Sequence, residues 1–423
     1  MTTDACYIDT QEPPAQKLMG VDDALAFILN TAAPLTDIED LDLSRALGRV
    51  LARPQISTLN VPPADNSAMD GYAFASGDVS TEGDTPLRVS QRIAAGQTSQ
   101  PLIPGTAARI FTGAPIPLGA DCVVMQEHCR VDGDTVIVSP PLHAGQNIRA
   151  CGEDVKVGVT ILDTGIKLRP QDLGLAASIG MARLPVYRPL RVAIFCTGDE
   201  LTEPNATLGT HLMPGKIYNA NRYTLTGLLQ ALHCDVIDLG IVPDNLAATR
   251  TVLASAARQS DLIITSGGVS VGDEDHVKAA VETLGQLDMW RIAMKPGKPL
   301  AFGRVDKTPF FGLPGNPVSV FATFSLFARP FILRCQGMVK TLPQSVLVRA
   351  DFDWLQKGNR REYLRARLHT GADGITSAVI YPNQSSAALT SVSWAHGLIC
   401  IAENTTVQRG QMVSFIPFNE LLA

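Results

Sequence analysis

The sequence predicts a multidomain chain of the α/β-plus-β class, and three changes of texture along its 423 residues carry that expectation. Up to about residue 185, short apolar runs are broken by Gly and Pro, which is the pattern of a β-rich region. From residue 189, strand-like runs alternate with helical ones, as in a mostly parallel sheet with helices on both faces. Beyond residue 336 the helical signal fades into short strands and turns, which fit a small β-barrel or sandwich of ~80 residues.

In chain order, residues 21–30 (VDDALAFILN) have helical spacing, with Asp22 and Asp23 in the first turn where acids suit the helix dipole. Strands are expected near 87–93, 107–112, 122–126 and 135–138, between turn signals such as Asp132-Gly133 and Pro140-Pro141. A helix follows Arg169, since Pro170 suits its first turn. The central zone reads as strand 191–196, helix 223–232, strand 235–239, helix 246–258, strand 261–265, helix 275–284, strands near 291–294 and 299–302, and a helix after Pro317. Residues 318–333 are apolar but cut by Arg329 and Pro330, so they read as a buried helix. The last zone offers five strands, near 345–352, 361–369, 375–381, 398–402 and 412–416.

Composition narrows the function. Hydrophobic residues make up 45% and charged residues 18%, enough apolar material for real cores. The net charge of −6 gives no footprint for wrapping a nucleic acid, so no nucleic-acid partner is expected. No charge-free apolar run reaches the ~18 residues of a membrane span, and residues 1–16 lack a basic start with an apolar core. No membrane contact and a cytoplasmic location are therefore expected. The eight cysteines form no CxxC pair and read as buried, reduced thiols.

In an α/β sheet, ligands sit beyond the carboxyl ends of the strands, and there this sequence puts its Gly, Asp and Ser residues. The densest run is SGGVSVGDEDH (266–276), whose Gly267 and Gly268 allow close backbone approach to an anion, with Asp275 able to hold a hard cation. A plain strand-to-helix turn has the same composition. LPGNP (313–317) opens a helix whose first N–H groups are a second candidate anion site, and Pro317 is equally what ordinary capping demands. In KPGKP (295–299), Lys295 and Lys298 are charges able to meet a phosphate or another oxyanion, with Arg291 upstream. Acidic loops follow at 65–72, 149–154, 199–200 and 244. No G-x-S-x-G or H-E-x-x-H motif is present.

Taken together, DNSAMDGYA (65–73), RIFTGAPIP (109–117), VVMQE (123–127), RACGEDV (149–155), TGDEL (197–201), IYNANR (217–222), GIVPDN (240–245), SGGVSVGDED (266–275), KPGKP (295–299) and GLPGNPVS (312–319) resemble molybdopterin molybdenumtransferases. These enzymes insert molybdenum during molybdenum-cofactor synthesis and are related to the gephyrin E domain. The resemblance spans residues 17–420, with the blocks in the family's order.

The resemblance implies an elongated N-terminal region (17–187) with an inserted β-rich domain at about 55–150. It further implies a central three-layer molybdopterin-binding α/β domain (188–335) and a C-terminal β-barrel-like domain (336–423). It implies adenylylated molybdopterin and molybdate as substrates, Mg²⁺ as cofactor, AMP release, a homodimer and contact with a molybdopterin adenylyltransferase. Matching motif positions make Asp70, Asp154, Glu200, Asp244 and Asp275 the catalytic acids, with Glu200, Asp244 and Asp275 toward the metal. Thr112, Gly267, Gly268, Ser270, Lys295, Lys298, Pro314, Arg365 and Ser386 are the implied substrate-binding set.

The sequence departs from the family at Asn219 and Asn245, where aspartates are common, at Arg291 for a frequent lysine and at His276 for a frequent aromatic. The two Asn positions bear on metal affinity. Two other functions remain open at this point: a molybdopterin adenylyltransferase, which shares the central domain, and a non-catalytic scaffold.

Overall fold

The computed structural model describes residues 18–204, 212–269, 276–372 and 374–422. The chain divides into two compact units. Residues 40–47 and 51–186 form one, and the segments up to Glu39, 48–50 and from Tyr187 onward form the other.

The larger unit is built on a six-stranded sheet in the order Asp235–Val242, Arg191–Thr197, Leu262–Ser266, Thr308–Leu313, Pro299–Val305, Gly285–Arg291. The first three pairings are parallel and the last two antiparallel. Alternating side chains sort the strands' two faces. Val192, Ile194, Leu262 and Ile264 pack with helices Ala220–Ala231, Val21–Thr31 and the run from Pro317 to Cys335. Ala193, Phe195 and Ile263 pack with helices Leu246–Gln259 and His276–Leu284. The result is three layers, as expected. The N-terminal helix joins this core because Val21, Ala24 and Ile28 make one buried stripe.

Sequence reading put a strand near 291–294; the edge strand instead covers Gly285–Arg291, and Met294–Lys295 pairs elsewhere. Glycines permit this edge. A Cβ on Gly285 would lie 2.0 Å from the Arg304 carbonyl oxygen, and one on Gly303 2.2 Å from that of Gln286. The helical run Pro317–Cys335 contains a π-helical turn at Phe324–Ala328, with Pro330 opening the next segment. It is the one described helix long and apolar enough to cross a membrane, and 94% of its most apolar window is buried inside the protein.

The C-terminal strands close into a five-stranded barrel in the order Arg361–Thr370, Thr376–Ile380, Val346–Ala350, Met412–Pro417, Gly397–Ile401 and back to Arg361–Thr370. Val348, Leu364, Ala378, Ile399 and Phe415 fill it. All five strands stand where the sequence placed them. The short helix Leu389–Trp394 was not foreseen.

In the smaller unit, Cys122–Met125, Gly71–Phe74, Thr106–Ile110, Thr85–Ile93, Thr135–Val138 and Arg130–Asp132 form a six-stranded sheet in that order. Its faces bury Phe74, Leu87 and Val136 on one side and Ile93, Ile110 and Val123 on the other. A further core gathers around helix Pro170–Ser178, where the Asp172 carboxylate accepts from the backbone and guanidinium of Arg169.

Candidate active site

In the larger unit, adjacent parallel strands end at one edge of the sheet, since Cys196 pairs with Ser266, Ser266 with Leu313 and Thr197 with Val242. The loops leaving that edge carry Glu200, Asp244, Gly267, Gly268 and Pro314, so topology alone gathers five of the expected residues there.

Two of these positions admit only glycine. Gly267 has φ 94°, and a Cβ on it would lie 2.5 Å from the Thr197 carbonyl oxygen. Gly268 has φ 65°, and its Cβ would meet Val277 Cγ2 at 2.5 Å and Thr197 Oγ1 at 2.8 Å. Ser270 and Asp275 lie outside the described residues.

Several polar atoms at this edge are buried without a hydrogen-bond partner among the described residues: Thr197 Oγ1, Asn221 Oδ1 and Asp244 Oδ1. Buried polar atoms are ordinarily paired, so an unpaired group gathered at strand ends is what a polar ligand would complete. No group of three or more His, Cys, Asp or Glu able to hold a metal occurs among the described residues. The free oxygen of Asp244 nonetheless suits a hard cation such as Mg²⁺, which keeps most of its waters and needs only one or two protein carboxylates. Glu200 is exposed.

The LPGNP turn has local partners on two sides. Ser266 Oγ donates to the Pro314 carbonyl at 3.1 Å, and Asn221 Nδ2 donates to Ser266 Oγ at 2.9 Å and to the Gly315 carbonyl at 2.6 Å. At the helix that begins at Pro317, where the sequence allows either a second anion site or an ordinary cap, the N–H of Val318 donates to the Ser386 carbonyl at 3.0 Å. The protein itself therefore occupies part of that helix end.

Asn219 and Asn245, two of the four departures from the family pattern, are both helix N-caps. Asn219 Oδ1 accepts from the N–H of Arg222 at 3.3 Å, and Asn245 Oδ1 from that of Ala248 at 2.9 Å. Asn and Asp cap helices about equally well, so each exchange keeps the cap.

The two lysines differ. Met294 and Lys295 pair in parallel with Arg361 and Glu362, so the lysine loop is stitched to the barrel. Lys295 Nζ lies 3.1 Å from Glu362 and 5.8 Å from the centre of the Trp354 ring. Lys298 is exposed, and its carbonyl accepts from the N–H of Ile292. Arg360, which sequence reading did not single out, donates to the Met294 carbonyl at 3.4 Å. It stands just ahead of the strand that pairs with the lysine loop, and the only sequence signal for it is that adjacency.

Arg365 was expected on the basic side of the site. It is 1% exposed, and burial pushes its guanidinium down to about 10. Its donors reach Ser391 Oγ and the carbonyls of Tyr363 and Ser385. Its guanidinium thus props the loop whose Ser386 carbonyl meets Val318.

Asp70, Thr112 and Asp154 belong to the smaller unit. The backbone N–H and hydroxyl of Thr112 both donate to Asp70 Oδ1 at 2.8 Å, and the N–H bond foremost holds Asp70 below the usual carboxylate range. Gly71 is required beside it, because a Cβ there would overlap the Val124 carbonyl oxygen at 1.8 Å. Asn66–Ser67 pairs with Ile148–Arg149, which sets the Asp70 and Asp154 loops side by side. Asp154 is exposed, with its N–H on the Val61 carbonyl. In the latter loop Cys151 is exposed, against the expectation of buried thiols; Cys129 and Cys400 are half-buried, and Cys122, Cys196, Cys234 and Cys335 are buried. Cys6 lies outside the described residues.

Comparison with known proteins shows the family and the fold. Residues 19–180 match the "MoeA N-terminal region (domain I and II)", residues 193–334 a "Probable molybdopterin binding domain", and residues 348–418 the "MoeA C-terminal region (domain IV)". A molybdopterin molybdenumtransferase of Haemophilus influenzae is 40% identical over 409 residues, covering 96% of this chain and 100% of that protein. The chain belongs to the molybdopterin molybdenumtransferase family. A Nostoc member is 38% identical over 374 residues, 86% of this chain and 85% of its own. The crystal structure of the molybdopterin biosynthesis moeA protein from Pyrococcus horikoshii superposes with a TM-score of 0.83 at 30% identity, over 95% of this chain and 100% of that one. Molybdopterin molybdenumtransferases of this family are transferases of molybdenum-cofactor biosynthesis, and the three-part fold described above is theirs.

Proposed function

We propose that this chain inserts molybdenum from molybdate into the dithiolene of adenylylated molybdopterin, with release of AMP. The observation that carries the reading is the strand-end cradle, where two obligatory glycines sit against Thr197, whose hydroxyl is unpaired, and the unpaired carboxylate oxygen of Asp244 lies in another loop at the same strand ends. A cradle of this kind can admit the phosphate-bearing substrate close to the backbone. Pro314 lines the neighbouring turn, and Ser270, Ser386 and, in the smaller unit, Thr112 enter the proposal as polar contacts through the family resemblance.

Lys295 and Lys298 attract the molybdate oxyanion as point charges on a short loop. Asp70 and Asp154 of the smaller unit enter the proposal as carboxylates through the family resemblance, and the two Thr112 bonds favour the ionised form of Asp70. Mg²⁺, when bound, would neutralise the pyrophosphate oxygens, and Asp244, with Glu200 and Asp275, would hold it. Two Mo–S bonds form as the dithiolene thiols give up their protons and one molybdate oxygen leaves with them as water, molybdenum staying Mo(VI). Breaking the adenylate linkage takes up one water, which leaves AMP and the pterin phosphate. A homodimer, a cytoplasmic location and contact with a molybdopterin adenylyltransferase belong to the same proposal and rest on the family resemblance.

The test is incubation with adenylylated molybdopterin, Mg²⁺ and graded molybdate, following AMP release and activation of an apo-molybdoenzyme. Molybdate-dependent AMP release with activation is expected. Tight binding without release would replace the reading with a carrier or scaffold. Consumption of ATP to adenylylate free molybdopterin would replace it with an adenylyltransferase.

A further inference from the structure

The IYNANR segment contributes three polar side chains, Asn219, Asn221 and Arg222, around the start of helix Ala220–Ala231, and they have different partners. Asn219 caps the helix. Arg222 bonds Asp238 at 2.7 Å and Glu203 at 2.9 Å. Asn221, of the three, reaches the loops that follow strands Leu262–Ser266 and Thr308–Leu313. Its single amide NH₂ supplies one proton to Ser266 Oγ, at the end of strand Leu262–Ser266, and the other to the Gly315 carbonyl in the next loop. Ser266 Oγ in turn donates to Pro314, so two loops that leave neighbouring strands are held by one closed set of bonds.

The orientation of that amide has only one solution. Gly315 offers a carbonyl oxygen, which accepts and cannot donate, so the NH₂ must face it. The other end of the amide, Oδ1, is buried with no partner among the described residues. Asn221 is therefore held by its donors alone, and those donors act on the two loops that carry Gly267, Gly268 and Pro314.

We propose that Asn221 is a positioning residue that sets the separation of the Ser266–Gly268 and Pro314–Asn316 loops, and hence the affinity of the cradle for its phosphate-bearing substrate. The inference rests on the molybdenum-insertion reading above and names a residue outside the set that the motif resemblance supplied. An aspartate at this position has the same shape but no donors, and its carboxylate would face the Gly315 carbonyl.

The experiment compares wild type, Asn221→Asp, Ser266→Ala and the double variant, using purified full-length protein. Direct binding of adenylylated molybdopterin is measured by calorimetry and AMP release as a function of its concentration. The expected result for Asn221→Asp is a rise of about tenfold in Kd and KM, with kcat within about twofold, as fits lost positioning hydrogen bonds. Ser266→Ala should move the same way by less, and the double variant should be no worse than Asn221→Asp, because the bonds form one set.

Unchanged Kd and KM with a lowered melting temperature would overturn the proposal in favour of a purely structural role. Additive effects in the double variant would also overturn it. If Asn221→Asp fails to fold, Ser266→Ala decides, since an unchanged Kd there sinks the shared-bond account. A wild type that binds but releases no AMP defeats the insertion reading, while the binding comparison still tests Asn221.

Discussion

Lys295 and Lys298 share one loop, yet their neighbours give them different weights in the fold. The Glu362 side chain is only 8% exposed, and the Lys295 ammonium is its ion-pair partner at 3.1 Å. Removing one member of such a pair leaves a charge poorly solvated, although the 46% exposure of Lys295 lets water offset part of that cost. Lys295→Met should therefore lower the unfolding free energy by about 1–2 kcal/mol in urea titrations, whereas Lys298→Met should change it by less than about 0.5 kcal/mol. Adding Glu362→Gln to Lys295→Met should recover most of the loss, and equal losses for the two lysines would show that Glu362 is balanced by another group. The lysines themselves were legible as a motif. Glu362 was not, because nothing near it in the sequence indicates which strand it will lie against.

At the scale of elements, the caps and glycines divide the motifs into parts that shape the backbone and parts free to meet a ligand. Asn245 belongs to the first kind. Asn245→Ala should cost about 1 kcal/mol of stability and Asn245→Asp almost nothing, checked by thermal unfolding; a large loss with Asp would mean that the amide does more than cap. Gly267 is of that kind too, yet it borders the cradle. Gly267→Ala should weaken substrate binding well beyond its effect on folding, since at φ 94° the added methyl must displace the Thr197 carbonyl; unaltered binding would remove the cradle from the site. Strands flanked by Gly, Pro and Asp-Gly turns could be read directly, as in the whole barrel. The edge strand Gly285–Arg291 was misplaced because its pairing depends on Gly285 and Gly303 making room for partner carbonyls, which no apolar period records. Helix Leu389–Trp394 was missed because its N-cap, Ala388, carries no capping side chain. The partner of the helix end after Pro317 could not be read for a further reason, since the Ser386 carbonyl that meets Val318 comes from the following domain.

For the larger unit as a whole, Asp261 is a hub of charge. It accepts from Arg188 at 2.7 and 2.9 Å and from the backbone and guanidinium of Arg191, while Arg188 also holds Asp37. Burial pushes the Asp261 carboxyl up, but the bonds from Arg188 and Arg191 outweigh it and hold the group well below the usual carboxylate range. A depressed folded value means that the stabilisation is complete above the unfolded carboxylate value, near ~4, and is lost as pH falls toward the folded one. Wild type should accordingly lose stability more steeply than Asp261→Asn between about pH 5 and about pH 2, and parallel profiles would assign the acid sensitivity elsewhere. The order of layers was legible at this scale because the strands' alternating faces are written in their side chains; the closure of the barrel onto the lysine loop was not. That closure matters during synthesis. Arg361 pairs with Asp22 from the first helix, the strand it opens stitches Met294–Lys295, and the barrel's last strand, Met412–Pro417, is made after all of them. A nascent chain halted before that strand would already carry every motif of the central domain, yet the barrel that steadies its lysine loop would still stand open along one side.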